Sequence, residues 1–210
     1  MTLQRSHKKI LNWVLSLALL LTATLANTSI ARADDNSWLK AWTTVGSAGT
    51  IDEADTGKVT LQGSTIAFPE LLPPTIGTAA LIPLPLETVT ATVRYNVVAT
   101  DGLFEGGTNL GMRARFRDDG NNAQVILRLI EVNIETGVSA VILTFDSNAF
   151  AANANYQTQS VSTFIGSRIN FQENAYFIEA TLIQKRSPVV FFGGKPGISV
   201  IQLNRFTPIF

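Results

Sequence analysis

Arg113, Arg115 and Arg117 alternate with Ala114 and Phe116 in the run RARFR. On an extended strand, residues two apart share a face, with side chains about 7 Å apart. Guanidinium groups at that interval can grip sulfate, phosphate or uronate groups by bidentate pairing. Arg128 joins the far end of the row if strand register sets it across from Gly111. The competing account is a solvated face balanced by acids such as Glu131 and Glu179, since exposed ion pairs cost little to keep.

Two further groups of side chains have chemical potential. Asp118, Asp119 and Asn121, in the run DDGNN, have the oxygen-rich composition of a calcium loop without the full EF-hand spacing. Asp and Asn are also favoured in tight turns for local backbone reasons, which is the simpler reading. Asp52, Glu53 and Asp55 form a second oxygen cluster with the same two readings. Calcium is the one cofactor these residues admit. Trp38 and Trp42, four apart, can serve as a stacking platform for sugar rings or as aromatic anchors that pin the N-terminal segment to a core. Val189, Val190, Phe191 and Phe192 are consecutive, bounded by Pro188 and the pair Gly193-Gly194. Such a run either folds back as a short strand or forms a contact surface, and with the tail RFTPIF it makes self-association of the chain a possibility to test.

The available chemistry is narrowed by the leader. The chain opens MTLQRSHKK, continues with the apolar run Ile10 to Ala26, and reaches Ala31-Arg32-Ala33, a small-x-small cleavage site. Residues 1–33 are read as a signal peptide and 34–210 as one domain; the alternative is a retained anchor, the only route by which the chain would meet a membrane. The leader holds Arg5, Lys8, Lys9 and Arg32 but no acid, so 12 basic and 16 acidic residues remain, a net charge of −4. That balance gives no general attraction to nucleic acid. His7, the only histidine, leaves with the leader, and the chain has no cysteine. The mature protein therefore lacks Ser-His-Asp and Cys-His nucleophiles, imidazole or thiolate zinc sites, and disulfides. Carboxylate, lysine, tyrosine and hydroxyl chemistry remain.

The elements that must position these residues are strands. Thr88 to Thr100 alternates Val89, Ala91, Val93, Tyr95 and Val97 against Thr90, Thr92, Arg94 and Asn96. Lys58 to Leu61 and Thr65 to Phe68 flank a turn at Gln62-Gly63-Ser64. From Asn109 to Ser147 the sequence reads as three antiparallel strands. The first hairpin turns at Asp119-Gly120, setting Phe116 opposite Ala123 and Met112 opposite Leu127; the second turns at Glu135-Thr136-Gly137, setting Leu127 opposite Phe145 and Leu129 opposite Leu143. Near Leu129-Ile130 the apolar parity switches, which calls for a bulge or for cover on both faces. Asn148 to Ser160 has no apolar period and reads as a loop, followed by strands at Ser160 to Ile165, Asn174 to Lys185 and Gly197 to Arg205. Beyond the leader no helical period extends over three turns.

The expected fold is all-β: an antiparallel β-sandwich of jelly-roll type, after a cleaved N-terminal signal helix. In layout it resembles the lectin-like and carbohydrate-binding jelly rolls of exported proteins, with no diagnostic motif. Three functions stay open: a secreted, non-catalytic module binding a glycan or cell-surface polymer, a self-associating envelope protein, and a glycosidase or lyase using two carboxylates. The leader reading predicts Asp34 as the first residue of the exported protein. Intact-mass measurement checks this, and a retained Met1 contradicts it.

Overall fold

In the computed structural model, residues 41–69, 87–99, 108–120, 122–165, 169–186 and 194–206 are described. Eleven strands occur among them: β1 (Trp42–Val45), β2 (Thr50–Ile51), β3 (Thr60–Gln62), β4 (Thr65–Ala67), β5 (Glu87–Val97), β6 (Asn109–Asp118), β7 (Ala123–Asn133), β8 (Ser139–Asp146), β9 (Asn153–Phe164), β10 (Asn174–Arg186) and β11 (Gly197–Phe206). They form two antiparallel sheets. One has six strands in the order β3-β4-β11-β6-β9, with β1 also paired to β11; the other has five in the order β2-β5-β10-β7-β8. The protein is an antiparallel β-sandwich of jelly-roll type.

Alternation in the sequence explains which face of each strand is buried. On β6, Leu110, Met112, Ala114 and Phe116 are fully buried, and on β7 Val125, Leu127 and Leu129 are nearly so. These faces meet across the sandwich: the Phe116 and Phe145 rings pack edge to face with centroids 5.1 Å apart, and Phe150 lies 5.2 Å from Phe145. Burying one such side chain contributes about 1.5–3 kcal/mol.

The second expected hairpin is present with the expected register. Leu127 pairs with Phe145 and Leu129 with Leu143, and the register shifts between Leu129 and Ile130 where the apolar parity changes. Gly137 takes the left-handed conformation at φ 68°. Asn133 Oδ1 accepts from the Glu135 and Thr136 amides at 3.2 and 2.9 Å, closing the loop.

The first expected hairpin is not formed. β6 pairs with β11 and β9, whereas β7 pairs with β10 and β8, so the turn at Asp119-Gly120 carries the chain from one sheet to the other. A two-residue hairpin turn of the expected kind needs positive φ at both central residues. Gly120 has φ 115°, but no non-glycine residue among those described takes a positive φ, Asp119 included. Facing the apolar sides across a core buries them as well as pairing the strands side by side, so the pattern fits both arrangements. Asn148 to Ser160 is also corrected: after a short 3-10 turn at Ser147–Ala149, β9 begins at Asn153. It is an edge strand whose inward positions include the half-buried Gln157 and Gln159, and so it needs no apolar alternation.

Asp55 ties the N-terminal segment to the five-stranded sheet. It is 9% exposed; its Oδ2 accepts from the Thr92 amide at 2.7 Å and its Oδ1 from Lys58 Nζ at 2.6 Å. Burial pushes the carboxyl up, but the hydrogen bonds from Lys58 and Thr92 and the Lys58 charge together hold it below its ordinary value. The depressed folded value means that Asp55 stabilises the fold fully above its unfolded pKa of 3.8 and loses that effect as pH falls through the folded one. Asp55→Asn is expected to destabilise by about 1–3 kcal/mol at neutral pH. Thermal melts should show the gap to the parent narrowing below about pH 4; a gap unchanged down to about pH 2 contradicts the assignment.

Candidate functional site

The arginine row stands on the outward face of the six-stranded sheet. Its positions alternate with the buried residues of β6, leaving Arg115 exposed and Arg113 and Arg117 half-buried. Neighbouring strands complete the face. Arg113 lies across from Gln202 on β11 and Ser160 on β9, and Arg115 across from Val200 and Thr158. Arg117 is held by its Nε, which donates to the Lys195 carbonyl at 2.8 Å.

Tyr156 of β9 reaches over this row. The Arg115 and Arg117 guanidinium carbons lie 5.8 and 5.5 Å from its ring centroid, within cation–π range. Its hydroxyl extends to Gly197 on β11, where a Cβ would stand 2.7 Å from it. The absence of a side chain at 197 is thus what lets the ring lie across β6. Beside it, Thr60, Gln62, Thr65, Ala67, Arg117 and Tyr156 line a cleft of about 430 Å³. Tyr156 was not among the residues expected from the sequence, because its segment read as a loop. Its even spacing with Thr158 and Ser160 was the available signal.

The electrostatics of this face are one-sided. The six strands β1, β3, β4, β6, β9 and β11 contain a single carboxylate, Asp118, and it is buried. Glu131 and Glu179, expected as balancing charges, belong to β7 and β10 of the other sheet. Arg128 is there too, on β7, because the β6–β7 turn changes sheets; it is not part of the row. Its Nη1 stands 3.9 Å from Glu179, which also pairs with Arg94 at 3.4 Å, and Arg94 meets Asp52 at 3.0 Å. The outer face of the five-stranded sheet is therefore a paired network, as a solvated face would be.

The oxygen-rich turn is committed to the fold. Asp118 is 3% exposed; its Oδ1 accepts from the Gly120 amide at 2.9 Å and its Oδ2 accepts from Ser147 Oγ. Ser147 Oγ in turn accepts from the Val125 amide at 2.8 Å. Asp119 accepts from the Lys195 amide at 3.2 Å. Asp52 is engaged by Arg94 and Asp55 by Lys58, and among the described residues no three His, Cys, Asp or Glu side chains converge as a metal site. Trp42 is 7% exposed, a member of the core, with no ring face open for stacking a sugar. Trp38, Asn121, Val189, Val190, Phe191, Phe192, the leader and the tail beyond Phe206 lie outside the described residues. Among the described residues no helix is long and apolar enough to cross a membrane.

The fold and this face describe a jelly-roll β-sandwich with one outer sheet face rich in cationic and hydroxyl groups. No family model and no curated protein matches the chain. Among solved structures, it is similar to a xylan-binding module, CBM15, at 10% identity, covering 80% of this chain and 98% of that one with a TM-score of 0.39. The family 11 carbohydrate-binding module from Clostridium thermocellum, in complex with a β-1,3-1,4-mixed-linked tetrasaccharide, is 11% identical over 84% of this chain and 95% of its own, with a TM-score of 0.35. The C-terminal family 22 carbohydrate-binding module of Clostridium thermocellum Xyn10B is 10% identical over 85% and 100%, with a TM-score of 0.33. At these scores the likenesses carry no argument about what this chain binds.

The Tyr156 placement yields a structural prediction. Gly197→Ala puts a Cβ 2.7 Å from the Tyr156 hydroxyl and 3.2 and 3.3 Å from Ala67 Cβ and the Ile66 carbonyl, so the ring must shift on β6 while those two neighbours give by a few tenths of an ångström and the fold is retained. Arg115 and Arg117 side-chain protons should lose their upfield ring-current shifts in NMR spectra. Unchanged shifts in the variant contradict the arrangement.

Proposed function

We propose that the chain is an exported, non-catalytic glycan-binding module that takes acidic polysaccharide on the outer face of its six-stranded sheet, through Arg113, Arg115 and Arg117. The observation that carries this reading is the segregation of charge: these arginines share a sheet whose strands hold no outward carboxylate, while Arg94 and Arg128 on the other sheet are neutralised by Asp52 and Glu179. An anion approaching Arg115 and Arg117 meets guanidinium groups on strands whose only carboxylate is the buried Asp118. Threonine, serine and glutamine side chains from β3, β4, β9 and β11 surround it with groups that both donate to and accept from sugar hydroxyls. Tyr156 adds an aromatic surface and keeps two of the guanidinium groups stacked, which lowers the ordering cost of binding.

The same face argues against the glycosidase reading. Hydrolysis needs two carboxyl groups flanking the bond, and among the described residues this sheet offers only the buried Asp118. Calorimetric titration with polyuronate, sulfated and neutral polysaccharides tests the proposal. Affinity for the charged polymers should fall as salt rises from about 20 to about 300 mM, across which screening shortens several-fold. Arg115→Ser combined with Arg117→Ser should weaken it by about tenfold or more, the order expected when two charge-assisted contacts are lost. Equal binding by the double variant, or salt-independent binding of neutral polymers at the same affinity, overturns it.

A further inference from the structure

The outer face of the five-stranded sheet carries a second concavity, unrelated to the arginine row. Asn122, Gln124, Asn148, Ile183 and Lys185 line a cleft of about 290 Å³. Gln124 on β7 and Ile183 on β10 are register partners, so an amide and a branched apolar side chain stand next to each other on its floor. Asn122 and Asn148 come from the segments flanking β7 and following β8, and Lys185 from the end of β10.

The cleft is held in shape by contacts that do not use up its binding groups. Asp146 Oδ1 accepts from Gln124 Nε2 at 2.9 Å and from the Asn148 amide at 3.0 Å, so one carboxylate fixes both sides. With its nitrogen so engaged, Gln124 presents its carbonyl oxygen as the acceptor for a ligand hydroxyl. The Asn122 carbonyl accepts from the Lys185 amide at 2.8 Å, which ties the turn before β7 to the end of β10 and leaves the Asn122 side chain and the Lys185 ammonium unspent on that link.

We propose that this cleft is a second binding site, for a single pyranose unit bearing a carboxylate. Its volume lies at the small end of ligand pockets and suits one sugar ring rather than a polymer. Carboxamides recognise vicinal hydroxyls because each offers donor and acceptor together. Ile183 supplies the apolar surface on which the C–H face of a pyranose rests, and Lys185 supplies one positive charge for one carboxylate. Lying on the sheet opposite the arginine face, the site gives the molecule two separate points of attachment, and a chain end held here leaves the other face free for a polymer.

The test is NMR titration of the isotope-labelled full chain with methyl β-glucuronide and methyl β-glucoside. The Gln124 and Asn148 side-chain amide signals should shift saturably with the glucuronide, with a dissociation constant of ~1 mM, and about tenfold more weakly with the glucoside. Lys185→Met should bring the two sugars to equal affinity, and Gln124→Met should abolish both responses. Asn148→Ala, whose side chain lies at an exposed position after β8, should weaken binding severalfold without disturbing the remaining spectrum. The Arg115→Ser, Arg117→Ser double variant should show the parent's glucuronide-induced Gln124 and Asn148 shifts, so failure here and failure of the polymer face are read independently. The proposal is overturned if neither sugar gives a saturable Gln124 shift, if the parent binds both equally, or if the Gln124→Met or Asn148→Ala protein responds like the parent.

Discussion

A buried carboxylate sits where the chain crosses between its two sheets, and much of the architecture depends on it. Asp118 ends β6 in one sheet, while Val125 lies near the start of β7 in the other and Ser147 opens the 3-10 turn that follows β8. Burying an ionisable group without partners costs several kcal/mol, so the position is tolerable only because Gly120 and Ser147 both donate to it. Satisfying Asp118 therefore requires that the chain turn away from its own strand and pass across the sandwich end. A hairpin at the same turn would leave the carboxylate seeking other donors.

The crossing has an electrical consequence. Because β6 and β7 lie in different sheets, their outward arginines face opposite sides of the molecule. The acids of β7 and β10 accompany Arg128 and Arg94, where ion pairs between half-exposed groups contribute little individually but neutralise the surface. Among the described residues, the row on β6 shares the strands of its sheet with one carboxylate, the buried Asp118. A chain with no net charge so presents one cationic face, and it is the local potential rather than net charge that an approaching anion meets.

Both clefts rely on restraint of flexible side chains. Over the arginine row an aromatic ring does this, lying across β6 because Gly197 leaves space for its hydroxyl. At the smaller cleft one carboxylate, Asp146, holds an amide side chain and a loop amide together. Long polar side chains lose rotamer entropy when they bind, and part of that cost is met here on folding. Neither restraint involves histidine or cysteine.

Residues two apart on a strand share a face whatever the strand's neighbours, so inside and outside were legible from sequence at β5, β6, β7 and β10, as was the outward position of Arg113, Arg115 and Arg117. The β7–β8 register and its bulge at Leu129-Ile130 were equally legible, because a short loop with a left-handed glycine forces those strands to be neighbours. The exclusion of thiolate chemistry followed from composition alone. Beyond the β3–β4 and β7–β8 hairpins, only the tertiary structure decided which strands share hydrogen bonds. Backbone pairing leaves no side-chain signature, and the apolar faces of β6 and β7 are buried equally well opposite each other or side by side. That one choice placed Arg128 and its acids on the far sheet, made Asp118 a structural clamp, and let the polar edge strand β9 bring Tyr156 over the arginines.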